Sequence, residues 1–171
     1  MPTASREFRI YLGIDPGAGG GLAWVPHRAR VGIECSAIGM PKTEWDLWFE
    51  LQFRRPRLTQ HPRFAVIELN TGYVGGAGNP GSAMFKFGRS AGLLEMALVA
   101  AEIPYERATP QAWQKALGIV PRKKTESKTA FKNRLKARAQ QLFPSCSGIT
   151  LATADALLIA EYCRRKQEGL L

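Results

Sequence analysis

The segment Ile10-Tyr-Leu-Gly-Ile14 is apolar at nearly every position. A strand with one wet face alternates apolar and polar residues, so an unbroken run of this length must be covered on both faces. A second such run, Phe64-Ala-Val-Ile-Glu-Leu69, is too apolar for a sheet edge and carries one charge that needs a reason. Gly17 to Gly21 forms a glycine-rich turn, and Leu22 to Val25 returns as a second strand that Pro26 ends. Val31 to Ile38 is a third strand, which gives an antiparallel meander, and Pro104 to Ala108 is the last.

Helices follow between and after these strands. Thr43 caps one from Glu44 to about Phe53, with Trp45, Trp48 and Phe49 on one face, and Ser82 caps another that runs to about Ala101. Thr109-Pro110 opens a third that ends at Gly118. Lys128 to Phe143 carries Phe131, Leu135, Ala139 and Leu142 on one stripe, and Leu151 to Arg165 is a final amphipathic helix. Strands first and helices interleaved later define an α/β chain: a mixed sheet covered by helices, in one domain from about residue 8 to 166.

Charge narrows the class of partner. The 171 residues include 24 Lys+Arg and 14 Asp+Glu, a formal net charge of +10. Arg122, Lys123, Lys124, Lys128, Lys132, Arg134, Lys136 and Arg138 fall in one segment against the single acid Glu126, and Arg54, Arg55, Arg57 and Arg63 form a second cluster. Such concentration suits a polyphosphate, because neutralising phosphates releases condensed counterions. For Lys132 to Arg138 a solvated helix face is an equal alternative, whereas Arg122-Lys-Lys124 follows Pro121 in a loop. No run of about 18 apolar residues is present to cross a bilayer, and Met1–Arg9 lacks a signal-peptide core, so a soluble, cytoplasmic protein is expected. Cys35, Cys146 and Cys163 fit neither a disulfide framework nor a zinc site, and read as free thiols in a reducing compartment.

Only three of the acids are aspartates, and two of these stand in apolar surroundings. Asp15 ends the first buried strand, Glu68 lies near the end of the other, and Asp155 shares a helical stripe with Leu151, Leu158 and Tyr162 that faces the sheet. A buried carboxylate costs several kcal/mol unless it is protonated, paired or bound to a cation. None of the three has a basic residue within four positions. Asp15 alone serves equally well as a turn former before Pro-Gly. Three such acids together point to hard cations, Mg²⁺ or Mn²⁺, and with a basic chain to a metal-dependent nuclease.

Gly13-Ile-Asp-Pro-Gly17, the acid of Ala65-Val-Ile-Glu68, Thr109-Pro-Gln-Ala-Trp-Gln-Lys-Ala-Leu-Gly118 and Ala154-Asp-Ala-Leu-Leu-Ile-Ala160 resemble, in order and spacing, the RuvC family of Holliday junction resolvases, most closely its phage-type branch. The resemblance implies an RNase H-like fold over residues 1–171: a five-stranded sheet of three antiparallel strands then two parallel, flanked by helices. It implies a homodimer that nicks two opposed strands of a four-way DNA junction, with no organic cofactor and no membrane partner. Asp15, Glu68 and Asp155 match the catalytic, metal-binding acids, with two Mg²⁺ per site, Mn²⁺ able to substitute, and Asp15 bridging the ions. Lys123, Lys124 and Lys128 stand at the family's phosphate-contacting loop and helix start, Arg122, Lys86 and Arg89 are expected to add DNA contacts, and Tyr73 is assigned to stacking on bases at the crossover. Tyr73 lies in Asn70 to Gly81, a loop with five glycines, although the family's aromatic falls nearer Thr71. The helix from Ser82 to Ala101 is expected to dimerise through Ala91, Leu94, Met96 and Leu98, with Gly88 and Gly92 allowing close approach.

One position departs from the family. Its further Asp or His, three residues before the final Asp, is Ala152 here. Three acids suffice, or Glu161 or Thr153 compensates, or the chain is an inactivated variant. Two other functions share the fold: a nuclease of flaps or other branched DNA, and a junction binder that does not cleave.

Overall fold

The computed structural model describes residues 8–28, 34–52, 63–69 and 81–171, with the side chains of 82–84 and 86–87 excepted. Tyr73, Arg54, Arg55, Arg57 and the side chain of Lys86 therefore lie outside the described residues. Five strands, β1 (Ile10–Asp15), β2 (Gly21–Pro26), β3 (Ser36–Gly39), β4 (Arg63–Glu68) and β5 (Tyr105–Ala108), form one sheet in the order β3-β2-β1-β4-β5. The first three pair antiparallel, and β1, β4 and β5 pair in parallel. This is the expected α/β, RNase H-like sheet. Glu34 and Cys35 precede the third strand rather than belonging to it, and residues 31–33 lie outside the described set.

Among the described residues there are five helices: α1 (Glu44–Gln52), α2 (Gly81–Ala100), α3 (Pro110–Ala116), α4 (Lys128–Leu142) and α5 (Ala154–Gln167). Two starts use the expected caps, since the Thr43 hydroxyl accepts from Asp46 N at 3.0 Å and that of Thr109 from Ala112 N at 3.2 Å. Ser127 caps α4 in the same way, accepting from Ala130 N at 3.0 Å.

Period-2 alternation sorts the strand residues into two layers. Ile10, Leu12, Ile14, Ala65 and Ile67 face α1 and α2, where they meet Leu47, Leu51, Leu94 and Leu98. Tyr11 and Val66 face the opposite layer, which is built on Ala156 to Ala160 of α5 with Trp113 and Leu135 behind it. On this second face Gly13 touches the α5 backbone: a Cβ there would sit 2.0 Å from the Ala156 carbonyl oxygen and 2.2 Å from Ala160 N. Only glycine lets the helix lie this close to the strand. Every residue from Ala154 to Cys163 is buried, so α5 is a central helix rather than an amphipathic surface one. It begins at Ala154, later than expected, leaving Leu151 exposed in the preceding turn.

Two helices turn differently from their sequence pattern. In α1 the buried residues are Leu47, Glu50 and Leu51, while Trp45 is 67% exposed and Phe49 39%. The leucines fit the close gap against α2, and the aromatic stripe is left outside. In α2, Leu94 and Leu98 are taken by the protein's own sheet and are not free for a partner. The exposed stripe of α2 instead runs through Phe85, Gly88, Gly92, Met96 and Val99.

Arg63 is structural. Its guanidinium donates to the carbonyls of Leu51 at 2.6 Å and Ala101 at 2.9 Å, tying the start of β4 to the ends of α1 and α2. The three cysteines form no disulfide, and a hydrogen bond to the Cys146 side chain pulls the buried Cys35 thiol below its ordinary pKa. No described helix is long and apolar enough to cross a membrane.

Candidate active site at the ends of the central strands

The same alternation that buries Tyr11 and seats Gly13 under α5 puts Asp15 on the α5 face. In β4, Val66 points to that face and so does Glu68. The parallel register Ile14↔Ile67 then sets the two acids side by side at the carboxyl ends of neighbouring strands. Asp155, in the first turn of α5, comes down onto them from above. Asp15, Glu68 and Asp155 are all buried, at 8%, 9% and 6% exposure.

Burial and neighbouring charge are visible in the acidity of Asp15 and Glu68. Burial, then the charges of Glu68 and Asp155, raises the Asp15 carboxyl to about 7, and Lys132 only partly offsets this. Burial also raises Glu68, against a hydrogen bond from the buried Trp113 indole, whose Nε1–H donates to Glu68 Oε2 at 2.8 Å. Trp113 itself is held by α3, which Thr109 and Pro110 start.

Lys132, on α4, reaches into the same place. Its Nζ donates to Asp155 Oδ2 at 2.5 Å and lies 4.0 Å from Asp15 Oδ2. Burial works to lower the ammonium, but the hydrogen bond and charge of Asp155, with Asp15 and Glu68 behind it, outweigh that and raise its pKa. The other oxygen of Asp155, Oδ1, is buried with no hydrogen-bond partner. Lys132 is thus neither a solvated face nor a distant charge. It is 23 positions from Asp155 in the chain, so no local spacing reveals the contact.

The donor set is all oxygen, buried and mutually repelling, and one oxygen is orphaned, which fits a hard divalent cation. Yet among the described residues no three acidic, histidine or cysteine side chains are gathered closely enough to hold one metal ion together. The proposed substitutes for the missing ligand are engaged elsewhere. The Thr153 hydroxyl donates to the Gly148 carbonyl at 2.6 Å and accepts from Thr150 N at 2.9 Å. Both oxygens of Glu161 accept from Arg164 at 2.8 Å, and Oε1 also accepts from Arg165 at 2.7 Å. Ala152 lies in the turn that precedes α5.

The residues expected to contact DNA fall on two elements, the loop and first turn of α4 and the helix α2. Lys123, Lys124 and Lys128 are exposed on the loop before α4 and on its first turn. That loop is clamped from behind, where Arg134 pairs with both oxygens of Glu126 at 3.0 and 3.1 Å and donates to the Val120 carbonyl at 2.8 Å. Arg122 donates to the Glu126 carbonyl at 2.8 Å, so it shapes the loop as well as charging it. Arg89 is held in an exposed ion pair with Glu44 at 2.9 Å that bridges α2 to α1. A groove of 410 Å³ is lined by Pro16 and Gly17, which follow Asp15 in the chain, together with Lys42 and Ser90 among others.

Replacing Trp113 with Phe removes the donor that holds Glu68 and lowers its pKa. In the Trp113→Phe variant the Glu68 carboxyl should therefore titrate at higher pH than in wild type, as followed by carboxyl-carbon NMR. A loss of packing alone would not produce that shift.

A sheet of three antiparallel and two parallel strands, with buried acids at the ends of its two central strands and on the helix crossing them, is the RNase H-like arrangement. Within that class, the chain is similar to two solved structures of RuvC. One is T. thermophilus RuvC in complex with Holliday junction substrate, at 17% identity and TM-score 0.59 over 94% of this chain and 96% of that one. The other, of Thermus thermophilus RuvC, matches at 16% identity and TM-score 0.59 over 94% and 97%. No protein-family profile matches the sequence, and no curated protein does either.

Proposed function

We propose that this protein is a divalent-cation-dependent endonuclease that resolves four-way DNA junctions. The observation that carries the reading is the convergence of Asp15, Glu68 and Asp155 at the ends of β1, β4 and the start of α5, in a chain of net charge +10. The fold shared with a junction-bound RuvC supports the substrate.

The cation is Mg²⁺, with Mn²⁺ able to replace it, seated on Asp15 and Glu68. When bound, it supplies a water of lowered pKa and charge stabilisation at the phosphate. The chain's own part is to hold these oxygens rigidly. Trp113 fixes the direction of Glu68, α5 fixes Asp155, and burial keeps competing bulk water from the carboxylates. Lys123, Lys124 and Lys128 bind the strand by neutralising its backbone, and the groove beside Pro16 and Gly17 gives a continuing strand a path away from the acids.

A four-way junction has two opposed scissile strands, which suits two copies related by a two-fold axis. The exposed stripe of α2 supplies a face for the second copy: Phe85 is 71% exposed, Met96 58% and Val99 56%, and the Cβ positions of Gly88 and Gly92 open into empty space. Met96→Asp should therefore give a folded monomer by light scattering at micromolar protein, with an unchanged far-ultraviolet circular dichroism spectrum. It should also uncouple the two nicks of one junction. A Met96→Asp protein that stays dimeric would place the interface elsewhere.

Incubation with four-way, flap and linear duplex DNA of matched sequence tests the function. The four-way junction should be cut at least tenfold faster than the others. Faster cutting of flaps would favour the branched-DNA alternative, and tight junction binding with no cutting would favour a binder.

A further inference from the structure

We infer that the Lys132 ammonium occupies the position of a second cation in the acid cluster, so that each chain binds one divalent ion and not two. This rests on the metal-dependent reading above and refines it. The two-ion arrangement implied by the sequence resemblance needs Asp155 as a ligand to one of the ions. In this structure Asp155 Oδ2 is committed to Lys132 Nζ at 2.5 Å, which leaves only the buried Oδ1 of that carboxylate for a cation, and the same nitrogen stands 4.0 Å from Asp15 Oδ2. The two acids left without a basic partner at hydrogen-bond distance, Asp15 and Glu68, sit on adjacent parallel strands.

Three further observations agree. The residue one turn before Asp155 is Ala152, which has no donor atom to offer a second ion. The nearby oxygens that could compensate, those of Thr153 and Glu161, are turned to the Gly148–Thr150 turn and to Arg164 and Arg165. Among the described residues, moreover, no triad of potential ligands surrounds a single point. Charge balance points the same way. Three carboxylates are neutralised by one divalent ion and one ammonium, whereas two divalent ions beside the ammonium would leave the empty site strongly positive. An ammonium lacks an open coordination position, so Lys132 cannot activate water. Its N–H groups can instead donate to a phosphate oxygen, which places water activation on the Asp15–Glu68 side.

Counting bound Mn²⁺ by electron paramagnetic resonance and calorimetry, on the 171-residue protein without DNA, tests this. Wild type should bind one Mn²⁺ per chain, and Ala152→Asp alone should still bind one. Ala152→Asp combined with Lys132→Met should bind two, with Lys132→Gln as a second version of the double variant and thermal melts to confirm folding. Two ions in wild type, two in Ala152→Asp alone, or one in both folded double variants would each overturn the inference. No Mn²⁺ bound by wild type, with junction cleavage undiminished by EDTA, would overturn the metal-dependent reading itself.

Discussion

Glu68→Gln is expected to reduce junction cleavage by on the order of 10³-fold, with Asp15→Asn and Asp155→Asn losing a similar amount, because each removes charge from a site whose work is electrostatic. Junction binding should change little. The acids are buried, whereas the basic side chains proposed to meet the backbone, Lys123, Lys124 and Lys128, are exposed and untouched by these substitutions. Binding by gel shift and cleavage by denaturing gel, measured on the same junction, separate the two effects. The losses should not add in double variants, since the acids act as one unit. Near wild-type cleavage by Glu68→Gln would remove the cluster from the mechanism.

The second large effect is on stability. Asp15 is held at about 7 in the folded, metal-free protein against 3.8 for an ordinary aspartate, mainly by burial and then by Glu68 and Asp155. A carboxyl whose folded pKa is raised favours the folded state while it is protonated. Its stabilising contribution is complete below about 3.8 and is lost as pH rises through about 7. The difference corresponds to about 4 kcal/mol as an upper estimate. In EDTA, wild type should therefore lose stability relative to Asp15→Asn between pH 4 and pH 8, and the variant should melt higher at pH 8. Adding Mg²⁺ at pH 8 should raise wild type and leave Asp15→Asn nearly unchanged. Parallel melting curves for the two proteins across this range would contradict the account of Asp15.

The parts of this site that can be read from sequence are those in which local pattern and tertiary position agree. Unbroken apolar runs can only be interior strands, and an acid closing such a run stands out, which is why Asp15 and Glu68 are legible. Asp155 is legible for the same reason in a helix, among alanines, leucines and isoleucine. What pattern does not reveal is which of several apolar faces a helix buries. In α1 the leucines win over Trp45 and Phe49, and in α2 the sheet claims Leu94 and Leu98, because the width of each gap decides and no periodicity reports it. Partners distant in sequence are equally hidden. Lys132 lies in a run of basic residues where nothing singles it out, and Trp113 reads as a core aromatic until its indole N–H is found on Glu68. The signal that could have found both was a need: buried acids require cations or donors, and these are the ones the chain supplies.

The central claim is tested most directly by mapping the ends of junction products at nucleotide resolution, with and without Mg²⁺. Wild type should make two nicks placed symmetrically on opposed strands, each leaving a 5′-phosphate and a 3′-hydroxyl, and EDTA should abolish both. Cleavage that persists in EDTA, or nicks scattered along the arms without symmetry, would contradict a metal-dependent junction resolvase.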